Sequence, residues 1–199
     1  MALEDDMLQM LEQLESKKKQ ATTGLLSQLM DWHMPAYIHC MQVSLKSLEA
    51  SRFLGYNDKE MFFAGLLHDI GKLNVPVEIL DKRIDFGEEE YRIIHKHPEE
   101  GYAMVKDIFP FEAEVLLRHH KFCSISYPET LPKPVNPNGF DMRQIEQHAR
   151  LLGVLDYYDS MSRHDGYVYP AGNKMQVIAQ ERPGMDVIIR RLFDAGILA

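Results

Sequence analysis

The chain has 199 residues, of which 45% are hydrophobic and 26% charged, and its formal net charge is −8. These values are typical of a soluble globular protein, and the length suits one domain with a full-sized core. The acidic balance and the lack of a large basic run argue against binding to polymeric nucleic acid, because contacts with phosphate backbones require clustered Lys and Arg.

Two cysteines, Cys40 and Cys123, lie far apart without a C-x-x-C spacing, which indicates neither a disulfide scaffold nor a zinc–thiolate site. The given sequence does not start with a positively charged stretch followed by an apolar run, so we expect no leader peptide, and no apolar run approaches the roughly 18 residues that a membrane helix requires. We therefore expect a cytoplasmic protein without a membrane partner.

Strong helix formers run from Leu3 to Met30, with apolar residues at helical spacing. This pattern predicts one or two amphipathic helices, with Thr22–Gly24 as the candidate break. The apolar stripe predicts packing onto the rest of the domain, or onto a second copy in a homodimer, rather than a cofactor site. We divide the chain into an N-terminal helical segment, residues 1–34, and a domain of residues 35–199.

The next helix is predicted from about Ala36 to Leu54, with Pro35 in its first turn. It has two apolar faces, and the second face places His39 among small apolar residues. A helix buried on two sides belongs in the middle of an all-helical domain. On its own, a histidine in this position is more often a structural core residue than a ligand. The first face consists of Ile38, Met41, Leu45 and Leu48.

A helix that is apolar on all sides is predicted up to Leu67, and it delivers adjacent His68 and Asp69 within the stretch GLLHDIGKLNV. A carboxylate among such residues must be paired, protonated or bound to a metal. A metal is the best of the three, because imidazole nitrogens and bridging carboxylate oxygens are metal ligands. Lys72 projects from the same side of a helical turn and would face an anion on that metal. The alternative is a core histidine beside a helix-capping aspartate.

The predicted helix over residues 88–107 has an acidic first turn that suits the helix dipole. It contains His95 and His97. Because residues two apart face different sides of a helix, we expect at most one of these histidines in a shared site.

The predicted helix over residues 111–120 ends in the pair His119-His120, and both side chains can reach one site through different rotamers. The alternative for either histidine is favourable placement at a helix C-terminus. The following segment, Lys121 to Asp141, has too many prolines and glycines for regular structure. Loops of this length are usually functional or disordered. We interpret it as a lid or wall of the site, with disorder as the alternative.

The predicted helix over residues 142–161 places Asp156 on a core-facing stripe. Burying this second carboxylate would also cost free energy unless the charge is compensated. Asp159 is a candidate hydrogen-bond acceptor for a ligand, with a capping or solvent-facing role as the alternative. Short helices near residues 175–180 and 183–198 are predicted to close the chain.

Several helical segments thus each contain a candidate ligand, and the sequence motifs around these ligands form a known pattern. The motifs are LLHDIGKLNVPVEIL (66–80), HKHPEEG (95–101), LLRHH (116–120) and LLGVLDYYDSMS (151–162). Their order and spacing resemble the HD superfamily of metal-dependent phosphohydrolases, and specifically its HD-GYP branch of cyclic-dinucleotide phosphodiesterases. The resemblance implies an all-α fold, an HD-domain helical bundle with a metal site at its centre.

By position, the resemblance implies two divalent metal ions. One would be held by His39, His68, Asp69 and Asp156, and the second by His97, His119 and His120, with Asp69 bridging. Lys72 corresponds to the family lysine that contacts substrate phosphate, so the implied catalytic residues are Asp69 and Lys72. Ligands of this type suit iron or manganese, with magnesium or nickel as alternatives. The histidines that match nothing, and that we expect to be structural, are His33, His95, His148 and His164.

The sequence departs from the family at three places. Pro35 stands where some members have a third-metal glutamate, which predicts two ions. The family loop HHExxDGxGYP survives only as residues 119–121 and 127–128. Asp165 replaces a substrate-binding arginine, although Tyr167 persists, and an acid there would repel phosphate. We therefore expect retained metal chemistry and weakened recognition of the dinucleotide.

Together these features predict a dinuclear-metal phosphohydrolase, and specifically a phosphodiesterase that uses a metal-bridging hydroxide. Its substrate would be a small anionic phosphoester, a nucleotide or cyclic dinucleotide, with cyclic di-GMP a poor substrate. Two alternatives remain open. One is a ligand-binding or signalling module that keeps the metal cage without turnover. The other is a di-iron oxygenase, because some HD proteins use a similar ligand set to activate oxygen.

Overall fold

The computed structural model describes residues 2–82, 86–134, 139–163 and 174–198, without the side chains of residues 2–5 and 163. All regular structure in these ranges is helical, which confirms the predicted all-α class. None of the described helices is long and apolar enough to cross a membrane. The helices are α1 (Ala2–Glu12), α2 (Ser16–Trp32), α3 (Met34–Leu54), α4 (Asp58–Leu67), the 3-10 helix Ile70–Asn74, α5 (Val77–Leu80), α6 (Glu88–Ile94), α7 (His97–Val105), α8 (Pro110–Arg118), α9 (Met142–Arg163), α10 (Lys174–Glu181) and α11 (Asp186–Asp194).

Helices α3 and α4 lie at the centre of the fold, and their ends are fixed by local capping. The His33 imidazole accepts a hydrogen bond from a backbone N–H at the start of α3, and Gly55 ends that helix with φ 76°. Asn57 caps α4 in the same way, by accepting from two backbone N–H groups. From Met61 to Leu67 every residue of α4 is buried, as its apolar sequence predicts.

Two clusters of buried side chains flank this centre, and α3, α4 and α8 contribute to both. One cluster joins them to α9, α10 and α11 through residues such as Ile145 and Ile189. The other joins them to α7 and to the N-terminal helices, where Leu29 packs in the same cluster as Phe62 and Phe63. Leu14, Leu26 and Leu29 of the N-terminal stripe are therefore buried against this chain, whereas Leu8 is 54% exposed. A homodimer through the stripe stays a prediction.

The N-terminal break and one face of α3 differ from the sequence prediction. The chain breaks between α1 and α2 at residues 13–15, and α2 continues through Gly24. The hydroxyls of Thr22 and Thr23 donate to carbonyls one turn earlier, so they remain compatible with the helix. On α3, the face with His39 is buried, but Ile38 on the other face is 44% exposed.

The single helix predicted over residues 88–107 is in fact two helices, α6 and α7, which meet at His95 and Lys96. Pro98 explains the interruption, because it lacks the N–H that would bond to the carbonyl of Ile94 in a continuous helix. The His97 side chain takes that acceptor instead, with Nδ1 2.7 Å from the Ile94 oxygen. The break therefore aims His97 into the interior.

Candidate metal centre

The carboxylate of Asp69 lies between two sets of histidines. Its Oδ2 atom is 3.5 Å from the Nε2 atoms of both His39 and His68, and its Oδ1 atom is 3.2 Å from Nε2 of His97. Asp69 is 1% exposed. Each oxygen of one buried carboxylate thus faces a different set of imidazoles, which is the arrangement that a bridging ligand requires.

The first set of ligand atoms comes from α3, the end of α4, and α9. His39 Nε2 lies 3.0 Å from Asp156 Oδ1 and 3.1 Å from His68 Nε2. The opposite nitrogen of His39, Nδ1, donates to Asp159 Oδ2 at 2.6 Å. Asp159 therefore has the predicted role of hydrogen-bond acceptor, which fixes the His39 tautomer and directs Nε2 into the cluster.

The second set comes from the α6–α7 junction and the end of α8. His97 Nε2 and His119 Nε2 are 3.4 Å apart, and His120 Nε2 lies 3.9 Å from Asp156 Oδ2. The side chains of His97, His119 and His120 offer one nitrogen each within 4.8 Å of one another, a spacing that could hold a metal ion.

Three of the histidines are oriented by main-chain carbonyls three residues earlier. Nδ1 of His68 donates to Gly65, Nδ1 of His97 to Ile94, and Nδ1 of His119 to Leu116. These carbonyls lie in the last turns of α4, α6 and α8, where a helix leaves C=O groups without an intrahelical partner. Each imidazole thus caps a helix while its Nε2 atom points to the cluster.

Two histidines of the second set, His97 and His119, are in the protonation state that a metal requires, whereas the pKa of His68 is raised because its carboxylate neighbours outweigh its burial. Burial lowers the pKa of His97 to about 4 and that of His119 to about 3, so both imidazoles are neutral at pH 7. Their Nδ1 atoms already donate to carbonyls, which leaves an Nε2 lone pair on each ring facing the other across 3.4 Å. Two facing lone pairs repel, and a bound cation would turn that repulsion into ligation.

The carboxylates are also in the state that a metal requires. Burial acts to raise the pKa of Asp69, but the Lys72 ammonium and the neighbouring imidazoles outweigh it and hold that pKa well below its usual range. Burial likewise opposes ionisation of Asp156, whose pKa is nevertheless well lowered by hydrogen bonds with His39 and His68. Both side chains are therefore anionic, as a metal-binding carboxylate must be.

Lys72 makes an ion pair that the sequence did not predict. Its Nζ atom lies 2.5 Å from Asp69 Oδ2, and the lysine side chain is 22% exposed while the carboxylate is buried. Lys72 thus has the predicted position at the edge of the cluster. Its contact with a substrate anion stays a prediction.

Two glycines allow the backbone contacts that hold these elements together. A Cβ atom on Gly71 would lie 2.0 Å from the carbonyl oxygen of His97, and one on Gly153 would lie 2.5 Å from that of His119. Only glycine permits such close approach. The 3-10 helix and α9 therefore contact the ligand-bearing backbone directly.

The structure brings all seven predicted ligands together and keeps other histidines out. His33 caps α3, and His148 packs in the core against Tyr56 and Phe111. His95 lies outside the ligand cluster, as predicted for one member of its pair, and stacks on Tyr127 with ring centroids 3.9 Å apart. The sequence positions His164, Asp165 and Tyr167 lie outside the described residues.

Sequence reasoning assigned no role of its own to Tyr127, one of the two residues retained from the family loop. Its ring stacks on His120 with centroids 4.5 Å apart, so the described part of the loop forms a wall beside the cluster. The Tyr127-Pro128 dipeptide, which is retained from the family loop after the histidine pair, was the sequence feature that could have identified Tyr127.

A profile of the HD domain family matches residues 36–161, which carry all seven clustered ligands. The chain belongs to the HD domain family. This confirms the resemblance inferred from the sequence, and relatives named as cyclic di-GMP phosphodiesterases agree with the HD-GYP branch.

One HD-domain relative, a cyclic di-GMP phosphodiesterase of Pseudomonas aeruginosa, is 32% identical over 137 residues, covering 66% of this chain and 31% of that protein. A 3'3'-cGAMP-specific phosphodiesterase of Vibrio cholerae is 27% identical over 134 residues, covering 65% and 29%. The chain thus spans about a third of the length of these relatives.

The fold is similar to the HD domain of the L. monocytogenes phosphodiesterase PgpH, solved in complex with cyclic-di-AMP. The TM-score is 0.54 at 19% identity, and the match covers 86% of this chain and 85% of the other. This likeness supports the HD-domain architecture.

Proposed function

We propose that this chain is a metal-dependent phosphodiesterase that cleaves a small nucleotide or cyclic dinucleotide with two divalent ions. The observation that carries the proposal is the position of Asp69, whose two oxygens face separate sets of imidazoles. The relatives named above act on phosphodiesters, and they support the same class of reaction.

The residues divide naturally between two ions. The first set is His39, His68 and Asp156, the second is His97, His119 and His120, and Asp69 would bridge them. When bound, a pair of divalent ions supplies Lewis-acid polarisation of the phosphoryl group and an activated water as nucleophile. Imidazole and carboxylate ligands of this kind suit iron or manganese, with magnesium or nickel as alternatives.

The chain's own groups orient the ligands and the substrate. Asp159 holds the His39 ring, and the carbonyls at the helix ends hold three further rings, so the Nε2 atoms are aligned before any substrate enters. Lys72 is the partly exposed cation at the edge of the cluster. It would stabilise negative charge on a non-bridging phosphoryl oxygen.

The loop after His120 bears on the choice of substrate. In place of the polar and glycine residues of the family loop, this chain has Lys121, Phe122, Cys123, Ser124 and Ile125. Side chains there are engaged within the segment, since Lys121 Nζ donates to the carbonyl of Pro128 at 2.7 Å. We therefore expect slow cleavage of a generic phosphodiester and weak activity on cyclic di-GMP.

The test is to purify the protein anaerobically with iron and manganese supplied, measure its metal content, and assay bis-p-nitrophenyl phosphate and cyclic di-GMP. We expect two metal equivalents and slow hydrolysis of the first substrate. Asp69→Ala should lose both metals. Lys72→Met should lower kcat by about 100-fold or more, because it removes the cation that would stabilise the transition state. It also removes the ion pair with Asp69, so the metal content of this variant is measured beside its activity.

Each alternative has its own signature in this experiment. Less than one metal equivalent in the wild-type protein would contradict the dinuclear site. Two equivalents without activity on any phosphoester would favour the ligand-binding module, and iron-dependent oxygen consumption would favour the oxygenase.

A further inference from the structure

Among the clustered histidines, His120 is held differently. Nδ1 of His39 donates to a carboxylate, and Nδ1 of His68, His97 and His119 donates to carbonyls. Within the described part of the chain, the His120 ring makes no such hydrogen bond. Its nearest clustered carboxylate oxygen, on Asp156, is 3.9 Å from Nε2. Some other contact must therefore fix this ring.

The His119 ring lies against the His120 ring, with centroids 3.9 Å apart and planes inclined by 45°. From the loop side, Tyr127 holds His120 in two further ways. Its backbone N–H donates to the His120 carbonyl at 3.3 Å, and its ring stacks on the His120 ring with centroids 4.5 Å apart and planes inclined by 26°. The opposite face of the tyrosine ring is covered by His95, with centroids 3.9 Å apart and planes inclined by 11°. The Tyr127 ring is thus held between a clustered histidine and a histidine outside the cluster.

The loop between His120 and Tyr127 closes on itself, which keeps the stack in place. Lys121 Nζ donates to the carbonyls of Pro128 and Glu129, and Ser126 Oγ donates to the Lys121 carbonyl at 2.8 Å. These hydrogen bonds join both ends of the segment. Hydrogen bonds from loop side chains to loop carbonyls therefore hold Tyr127 close to His120.

We propose that Tyr127, backed by His95, is the positioning residue for His120. Stacking fixes the plane of the His120 imidazole where the other ligands use an Nδ1 hydrogen bond, and so sets the affinity for the ion held with His97 and His119. The inference rests on the proposed dinuclear site. Groups that orient a metal ligand typically change metal affinity by about 10- to 100-fold.

The test uses Tyr127→Leu, which removes the ring, and Tyr127→Phe, which keeps it. Tyr91→Leu is the matched control, because this half-exposed tyrosine lies next to His95 in the same region, with centroids 5.7 Å apart. Manganese binding is measured by equilibrium dialysis over a range of free ion concentrations, with the dinuclear signal followed by electron paramagnetic resonance. Thermal melts of the metal-free variants verify folding.

We expect Tyr127→Leu to bind one manganese equivalent with wild-type affinity and the second equivalent, held by His97, His119 and His120, about 10- to 100-fold more weakly. Tyr127→Phe and Tyr91→Leu should match the wild type. His95→Leu, which removes only the outer layer, should weaken the second equivalent by a smaller factor, and it carries the test if Tyr127→Leu does not fold.

Unchanged second-site affinity in Tyr127→Leu or, where that variant does not fold, in His95→Leu would overturn the inference. Equal loss of both equivalents would also overturn it, since that would show a general structural role. A wild-type protein that binds fewer than two ions would contradict the proposed function itself, so the two failures are distinct.

Discussion

The pKa values of buried acids in this domain shift in opposite directions because the neighbours of these acids differ. Asp69 and Asp156 are surrounded by imidazoles and Lys72, and their pKa values fall well below the usual range. Glu112, in the first turn of α8, is 8% exposed, and the charges of Lys18 and Lys59 lower its pKa less than burial raises it. Burial, reinforced by the charge of Glu60, raises the pKa of Glu112 above its ordinary value.

Glu112 should therefore reduce stability at neutral pH. Because its folded-state pKa is raised, stability is lost as pH rises from the ordinary glutamate pKa through the folded value. We expect Glu112→Gln to raise the melting temperature by a few degrees at pH 7, and the difference to vanish below about pH 4. Glu146→Gln, at an exposed glutamate of α9, should change little at either pH. An equal gain at both pH values would contradict the argument.

At the scale of elements, glycines have different roles according to what lies beside them. Gly71, the second residue of the 3-10 helix, lies against the backbone of α7, where a Cβ atom would overlap the His97 carbonyl. Gly24 is exposed in the middle of α2, with no atom within 4 Å of a built Cβ. The first position requires glycine for packing, while the second carries only the entropic cost of glycine in a helix.

These two positions give substitutions of opposite effect. Gly71→Ala should destabilise the protein by about 3 kcal/mol or more, since the obstructing atoms belong to backbone and cannot rotate away. Gly24→Ala should stabilise it by about 0.5–1 kcal/mol. Urea denaturation of both variants provides the measurement. Destabilisation by Gly24→Ala would show that α2 does not continue through this residue.

At the scale of the molecule, the ligand cluster is built on a scaffold that has its own core. Helices α3, α4 and α8 contribute apolar residues to both buried clusters, so their packing does not depend on an ion. The orienting hydrogen bonds of the ligands are likewise made to this chain. Binding should therefore stabilise a fold that already exists, in contrast to small zinc domains that fold only with metal.

Chelation tests this independence. We expect the protein treated with EDTA to keep its helical circular dichroism spectrum and to melt cooperatively, with a melting temperature lower by several degrees because the stabilising ligand is lost. Restoring manganese should restore the melting temperature. Loss of helical signal on chelation would show that folding and metal binding are coupled.

The sequence predicted those residues of the site whose burial costs free energy in any fold. His68 and Asp69 stand in an apolar run, and Asp156 stands on an apolar stripe, so a buried charge could be inferred without knowing the fold. The break between α6 and α7 was missed, although Pro98 signals it. The Lys72–Asp69 pair was also missed, because the same three-residue spacing is compatible with a lysine that faces only the substrate.

Contacts between distant segments could not be predicted in this way. The stack of His95, Tyr127 and His120 depends on how α6 meets the loop after α8, and residue spacing does not determine that angle. The sequence left several roles open for Asp159. Only the placement of α9 against α3 shows that its carboxylate accepts a hydrogen bond from His39.

The capping histidines have a consequence for how this domain can change over generations. His68, His97 and His119 each satisfy a carbonyl at a helix end as well as facing the cluster. Replacing any one of them removes a hydrogen bond from a backbone acceptor in the last turn of a helix, so the variant loses stability even where catalysis is not under selection. Descendants that lose turnover would therefore retain these histidines, and an intact ligand set in a relative reports ancestry more reliably than it reports activity.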